Sequence, residues 1–206
     1  MYRNDQAFDN CSFAWDGAKV EEAIEYEKES CNGNASQDDV MEILHAKTVS
    51  EIEEIRILFR EYETFLNVDL CFQGFEEELA GLPGKYTSPL GALLIAVGRT
   101  GAAGCVALRK LEEGICEMKR LYVRPAFRGL GLGRKLAISV VNTAIESGYS
   151  TMRLDTLDRL KSANKLYESM GFRERDMYYE NPLPGVVYWE LDLKSSGNGR
   201  SGGTMQ

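Results

Sequence analysis

Histidine is almost missing from this chain: His45 is the only one among 206 residues. A Ser-His-Asp or Cys-His catalytic set would have to be built on that residue. It sits in the run Met41-Glu-Ile-Leu-His-Ala-Lys47, which reads as a strand, so that class of enzyme is set aside. Metal spacings are missing too. The five cysteines (Cys11, Cys31, Cys71, Cys105, Cys116) include no C-x-x-C pair, which argues against a zinc site or a redox couple. Odd, scattered thiols fit a reducing compartment, so a cytoplasmic location is expected. No apolar run approaches the roughly 18 residues of a membrane-spanning helix, so no membrane partner is expected. Basic residues are outnumbered, 24 against 32, for a net charge of −8. A general nucleic-acid binder would show a basic excess or a basic face, and none is visible.

The acidity is concentrated. Residues 1–40 hold three basic and ten acidic side chains, and residues 41–206 hold 21 and 22. The first 40 residues therefore read as an acidic leader, mostly disordered, with neither the basic start nor the apolar stretch of a secretory signal. Ser195 to Gln206 is rich in Gly and Ser and reads as a disordered tail. Between them, 41–194 is expected to form one domain of ordinary globular composition, long enough to bury a core without metal or disulfide support.

Within that domain the periodicity alternates between strand and helix. Met41–Lys47 reads as a strand. Thr48-Val-Ser-Glu51 has the spacing of a capping box, and Ile52, Ile55, Phe59, Tyr62 and Leu66 continue at helical intervals. A short helix is expected over Phe75–Ala80, closed by Gly81 and Pro83. Strands follow at Leu93–Val97, Ala103–Leu108 and Cys116–Val123, separated by glycine-containing turns. A strong helix spans Gly133–Ser147, a strand Thr151–Thr156 and a helix Arg159–Met170. The last strands are expected around Tyr178–Tyr179 and over Val186–Leu193. The order β-α-α-β-β-β-α-β-α-β-β predicts an α/β (α+β) fold with a mixed sheet rather than strict βαβ alternation.

The segment from Glu117 to Gly133 is the most informative. A strand runs into Arg124-Pro-Ala-Phe127, then Arg128-Gly129-Leu130-Gly131-Leu132-Gly133, then a helix. Alternate glycines before a helix leave backbone N–H groups open to an approaching anion, and the helix N-terminus adds partial positive charge. Arg128, Arg134 and Lys135 supply full charges. The chemistry implied is pyrophosphate binding; the structural alternative is a connector that merely turns a corner. The spacing is G-x-G-x-G, not the dinucleotide G-x-G-x-x-G, and no Walker A motif is present. Asp155 lies about twenty residues on, where a ribose-binding acid would sit, so NAD remains an alternative ligand at this point.

The sequence resembles the GNAT superfamily of N-acetyltransferases. Its signature [QR]-x-x-G-x-[GA] is met by Arg128 to Gly133. Its second signature is met by Asn164, Leu166-Tyr167 and Gly171-Phe172. The resemblance covers most of 41–194, and the segments Arg120–Pro125 and Tyr178–Gly185 resemble a bacterial-type small-molecule branch. It implies a mixed, mostly antiparallel central sheet with splayed strands, flanked by about four helices. It also implies acetyl-CoA as co-substrate and direct transfer of its acetyl group to the primary amine of a small molecule or peptide. The backbone of Leu121, Tyr122 and Val123 would pair with the pantetheine arm, and a backbone N–H near Leu121 or Tyr122 would hold the oxyanion. The N–H groups of Arg128, Gly129, Leu130, Gly131, Leu132, Gly133 and Arg134 would bind the pyrophosphate, and Asn164 would touch the cofactor arm.

Tyr167 would be the general acid that protonates the departing thiolate; a phenol with a pKa near 10 keeps its proton at neutral pH. As a purely structural residue it would be one aromatic bordering the stripe Ala163, Leu166, Met170. The histone-modifying branch carries a base eleven residues before the first signature position, which here is Glu117. Alternation puts Glu117 on one side with Lys119 and Leu121, where it could equally be a surface acid paired with Lys119 or Lys110. A water chain is the rival base. Asp155 either caps the next helix or orients substrate. Tyr62, Phe65, Phe72, Phe75, Tyr178, Tyr179 and Tyr188 are candidate acceptor-pocket residues, and aromatics with a few acids suit a small cationic or apolar amine. Cys105 and Cys116 lie in strands and read as structural. A homodimer is possible on the resemblance. A non-catalytic acyl-CoA-sensing module and an NAD-dependent oxidoreductase are the alternative functions.

Overall fold

A computed structural model describes residues 41–68, 70, 71 and 74–194. The expected leader, the expected tail and Phe72 lie outside the described residues.

Strand β1 (Glu42–His45) leads into α1 (Val49–Leu66). The capping box forms: Thr48 Oγ1 accepts from the Glu51 N–H at 3.2 Å, and Glu51 Oε2 accepts from the Thr48 N–H at 2.8 Å. Asn67, in the left-handed region at φ 49°, stops the helix. After α2 (Phe75–Ala80), three antiparallel strands follow: β2 (Ala92–Gly98), β3 (Gly101–Glu112) and β4 (Ile115–Val123). Helix α3 (Leu132–Glu146) crosses over to β5 (Thr151–Leu157), and α4 (Lys161–Ser169), β6 (Arg173–Arg175) and β7 (Val186–Asp192) complete the chain. The seven strands form one sheet in the order β1-β2-β3-β4-β5-β7-β6, and β4–β5 is its one parallel pair. This is the mixed, mostly antiparallel architecture expected. It is not a doubly wound dinucleotide fold, because the strand before the glycine turn is flanked by antiparallel β3.

Each face of the sheet buries its own core. The helical spacing that marked α3 and α4 puts Leu136, Val140 and Met170 on one face with Met118 and Leu154. Ile55, Phe59 and Phe75 from α1 and α2 cover the other face with Ile95 and Cys105. The element order is as expected, but one strand sits elsewhere: Tyr178 and Tyr179 lie in a bend, and β6 forms earlier at Arg173–Arg175. Their side chains explain the displacement. Tyr178, Tyr179 and Tyr188 stack edge to face, and the Tyr178 hydroxyl donates to Glu117 Oε1 at 2.8 Å. The bend delivers those rings onto the sheet, which a strand at 178–179 would not.

Two features of β4 shape the functional region. Its pairing with β5 runs only from Ile115↔Thr151 to Glu117↔Arg153, after which the two strands part. Its pairing with β3 slips between Cys105↔Tyr122 and Ala107↔Lys119, so Arg120 and Leu121 together oppose Val106. Arg120 carries this bulge at φ 57°. The extra residue reverses the alternation. Lys119, Arg120 and Tyr122 all serve the α1–α2 side, and Leu121 and Val123 pack with the α3–α4 core. The expected common side for Glu117 and Leu121 is therefore corrected: the bulge separates them.

Candidate active site

The parting of β4 from β5 opens a cavity of about 490 Å³. Its walls are Met118–Val123 on one side and Leu154–Leu157 on the other, with Tyr62 and Phe65 of α1 and Leu166 and Tyr167 of α4 closing it. The edge of β4 facing β5 pairs with no strand beyond Glu117, so its backbone groups are open to an extended ligand lying in the gap.

At one end of the gap is the glycine turn. Gly131 is the N-cap of α3, at φ 74°, and Gly129 lies at φ 80°. A Cβ on either would meet nothing within 4 Å, so space does not require these glycines; their backbone conformation does. The N–H groups of residues 129–134 make no hydrogen bond among the described residues. Six adjacent donors at a helix start are a site for a diphosphate-sized anion. The helix begins at Leu132, one residue before the expected Gly133. Arg128 folds back so that its guanidinium lies 4.3 Å from the Phe65 ring centroid while Nε donates to the Val123 carbonyl. Arg134 links α3 to α4 through Ser169 Oγ at 2.6 Å, and Leu130 stands exposed at the tip.

Tyr167 lies on the cavity wall with its ring against Phe172, 5.7 Å between centroids. It is 6% exposed, and its hydroxyl has no hydrogen-bond partner among the described residues. Burial pushes its pKa well above the usual phenol range, helped by Tyr62 and Asp155. The group is a protonated donor with no protein acceptor, directed at a space a ligand would fill.

Asn164 is placed differently. Its Nδ2 donates to the Leu157 and Leu160 carbonyls, and its Oδ1 accepts from Trp189 Nε1 at 3.1 Å. These bonds tie the turn before α4 to β7, and the side chain is not on the cavity wall. Glu117 is fully buried, so it is no surface acid, and it too lies off the wall. Its carboxylate is held by Arg109 Nε at 2.5 Å, the Tyr178 hydroxyl and, at 3.8 Å, Lys119 Nζ.

Asp155 is the carboxylate that does reach the cavity. The α4 N-cap is Leu160 with no side-chain cap, so the capping role considered for Asp155 is not taken up. Lys119 Nζ lies 3.1 Å from Oδ1, and Asn181 Nδ2 lies 3.4 Å from Oδ2. Burial acts to raise the Asp155 pKa, but Lys119 and the Tyr179 hydroxyl overcome it and hold the carboxyl below its ordinary value. Lys119 of β4, Asp155 of β5, Arg159 in the turn after β5 and Asn181 in the loop before β7 line the cavity together, a grouping that local motifs did not point to. Tyr62 and Phe65 of the expected aromatics line the cavity; Phe75 is buried in the α1–α2 core, and Tyr178 and Tyr179 in the bend stack on Tyr188 of β7. Burial pushes the Cys116 thiol up to about 12 and Cys105 higher, which suits neither to nucleophilic work.

Comparison with known proteins decides the family. The Acetyltransferase (GNAT) domain family matches residues 89–174, which include the glycine turn and Tyr167. An uncharacterised N-acetyltransferase of Schizosaccharomyces pombe is 44% identical over 149 residues, covering 71% of this chain and 91% of that protein. This chain belongs to the GNAT acetyltransferases. It is an acetyl-CoA-dependent acyltransferase that acts on an amine, and the glycine turn and open strand edge suit that co-substrate. An N-acetylaspartate synthetase of Homo sapiens is 34% identical over 112 residues, 53% of this chain and 37% of that one. The fold is shared with a GNAT-family acetyltransferase of Staphylococcus aureus, at a TM-score of 0.63 and 21% identity over 75% of this chain and 99% of that one. No described helix is long and apolar enough to cross a membrane.

Proposed function

We propose that this GNAT acetyltransferase acetylates the primary amine of a small acceptor that also carries a carboxylate. The observation that carries this reading is the charge around the cavity. Among the described residues, Lys119, Arg120, Arg128, Arg159 and Lys161 border it, against the one carboxylate of Asp155. Glu78 neutralises Arg120, and Asp155 with Glu117 neutralises Lys119. With Arg128 belonging to the pyrophosphate turn, Arg159 and Lys161 remain in excess among the described residues, which disfavours a purely cationic amine. Arg159 donates to the Leu66 carbonyl at the end of α1, which holds it on the helix side of the cavity. The N-acetylaspartate synthetase relatives carry in their name a product that bears carboxylates, which supports the same class. This replaces the cationic or apolar acceptor that the aromatic content suggested.

In this reading the N–H groups of 129–134 hold the pyrophosphate and the free edge of Leu121–Val123 lies along the pantetheine arm. A backbone N–H of that edge polarises the thioester carbonyl. Asp155 holds the acceptor's ammonium; its lowered pKa makes it an anchor rather than a base, so the amine loses its proton to water. The amine then attacks the thioester carbon; the tetrahedral intermediate gives up the nitrogen's second proton to water as the C–S bond breaks, and the Tyr167 hydroxyl protonates the thiolate and is reprotonated from water. Glu117 positions Lys119 and Tyr178 from behind. Asn164 serves the cofactor arm indirectly, by fixing the turn that starts α4. The buried Cys105 and Cys116 thiols support a reducing, cytoplasmic setting.

The test is a thiol-release assay with acetyl-CoA and matched amines: L-aspartate and L-glutamate against their amides and against spermidine. The carboxylates should give kcat/KM at least about tenfold higher, and Arg159→Gln should narrow that ratio by raising KM. A preference for the amides or the polyamine would overturn the acceptor assignment.

A further inference from the structure

The residue that carries the β4 bulge is an arginine at φ 57°, a conformation that non-glycine residues rarely take in a strand. Something must hold it there. Its guanidinium is 3% exposed and forms a fork with Glu78 of α2: Nε to Oε1 and Nη2 to Oε2, both at 3.1 Å. Glu78, 2% exposed, also accepts from the Tyr86 hydroxyl at 2.8 Å and lies 3.5 Å from Lys85 Nζ. The Phe75 ring lies 5.0 Å from the Arg120 guanidinium, which fixes the plane of the fork. From the opposite side, Gly104 lets β3 press against the bulge; a Cβ there would come within 2.5 Å of the Tyr122 carbonyl oxygen.

We propose that Glu78 is a positioning residue for the transfer reaction: by gripping Arg120 it sets the bulge, and the bulge aims the free backbone edge of Leu121–Val123 into the gap beside β5. The inference rests on that edge being the cofactor strand. Glu78 touches no reacting atom. It is 42 residues from Arg120 in sequence, and α2, besides covering the sheet with Phe75 and Leu79, becomes the clamp of the cofactor strand.

Glu78→Gln keeps the shape and removes the charged fork. Acetyl-CoA affinity by titration calorimetry should fall at least about tenfold. Amide exchange over 118–124, measured without any ligand, should accelerate. Glu76→Gln, which removes an exposed charge from the same helix, should change neither. Glycine takes positive φ without help. Adding Arg120→Gly to Glu78→Gln should therefore restore affinity to within about threefold of the parent and slow the exchange again. Arg120→Lys, which keeps the charge and loses the two-point fork, should show the same losses as Glu78→Gln, which keeps the proposal testable if Glu78→Gln does not fold. Parent-like exchange and affinity in Glu78→Gln overturn the proposal, and so does failure of Arg120→Gly to restore them. The exchange readout needs no cofactor, so it separates a failed clamp from a failed acetyl-CoA assignment.

Discussion

The Tyr167 hydroxyl is a donor on the cavity wall that bonds no group among the described residues, so the fold itself gains little from it. Phe172 would pack as well against a phenylalanine ring. Such a group persists where function needs it, and the cavity it faces is where the leaving thiolate would form. This gives a prediction in two parts. Tyr167→Phe should lower kcat by about 10²-fold while acetyl-CoA affinity stays within about twofold. In urea unfolding the same variant should match the parent to within about 1 kcal/mol, because the hydroxyl bonds no group among the described residues. A residue kept only for packing would not show the rate loss. Full activity in the variant removes Tyr167 from the mechanism. At the same scale, the carboxylate that reaches the cavity is Asp155, not Glu117. The spacing that selected Glu117 counted positions along a strand, and a bulge three residues further on changes which side chains face the gap.

The glycine turn and α3 form one element, and here the sequence was most legible. Alternate glycines, flanking cations and a helical stripe are all local signals, and the structure returns a left-handed N-cap at Gly131 with six N–H groups around it that bond nothing among the described residues. Gly131→Val puts a β-branched side chain at φ 74°, so the turn must move to relieve it. Acetyl-CoA binding measured by calorimetry should be lost, with the far-UV circular dichroism of the parent retained. Unchanged affinity would mean that the anion is held elsewhere. Less local features were not legible. The Arg120–Glu78 fork joins residues 42 apart, and the Lys119–Asp155 pair joins residues 36 apart. Neither helical period nor strand alternation encodes such pairs. Tyr178 and Tyr179 misled for a related reason: β-favouring aromatics predict a strand, but their partners Tyr188 and Glu117 draw them into a bend.

For the domain as a whole, the gap has a mechanical consequence. Strands β1–β4 and strands β5–β7 are joined through only three residue pairs, Ile115↔Thr151 to Glu117↔Arg153. Beyond them the sheet is held together by the helices on its two faces, while the β4 edge and its cavity lie open. A ligand that lies along β4 and reaches the α3 N-terminus acts as an added strand across this seam, so it binds the folded protein and has no site on the unfolded chain. Linkage then fixes the size of the effect. At a hundredfold excess over Kd the folded state gains about 2.7 kcal/mol, which for a domain of this size raises Tm by roughly 5–10 °C. Acetyl-CoA should produce that shift and slow amide exchange on both sides of the seam, in 118–123 and in 154–157. NAD at the same concentration should do neither, because the turn lacks the dinucleotide spacing and the sheet lacks the parallel strands that flank such a site. Protection confined to the glycine turn, with none along β4 and β5, would show a cofactor held by its phosphates alone, and the strand-addition account of this cavity would have to be abandoned.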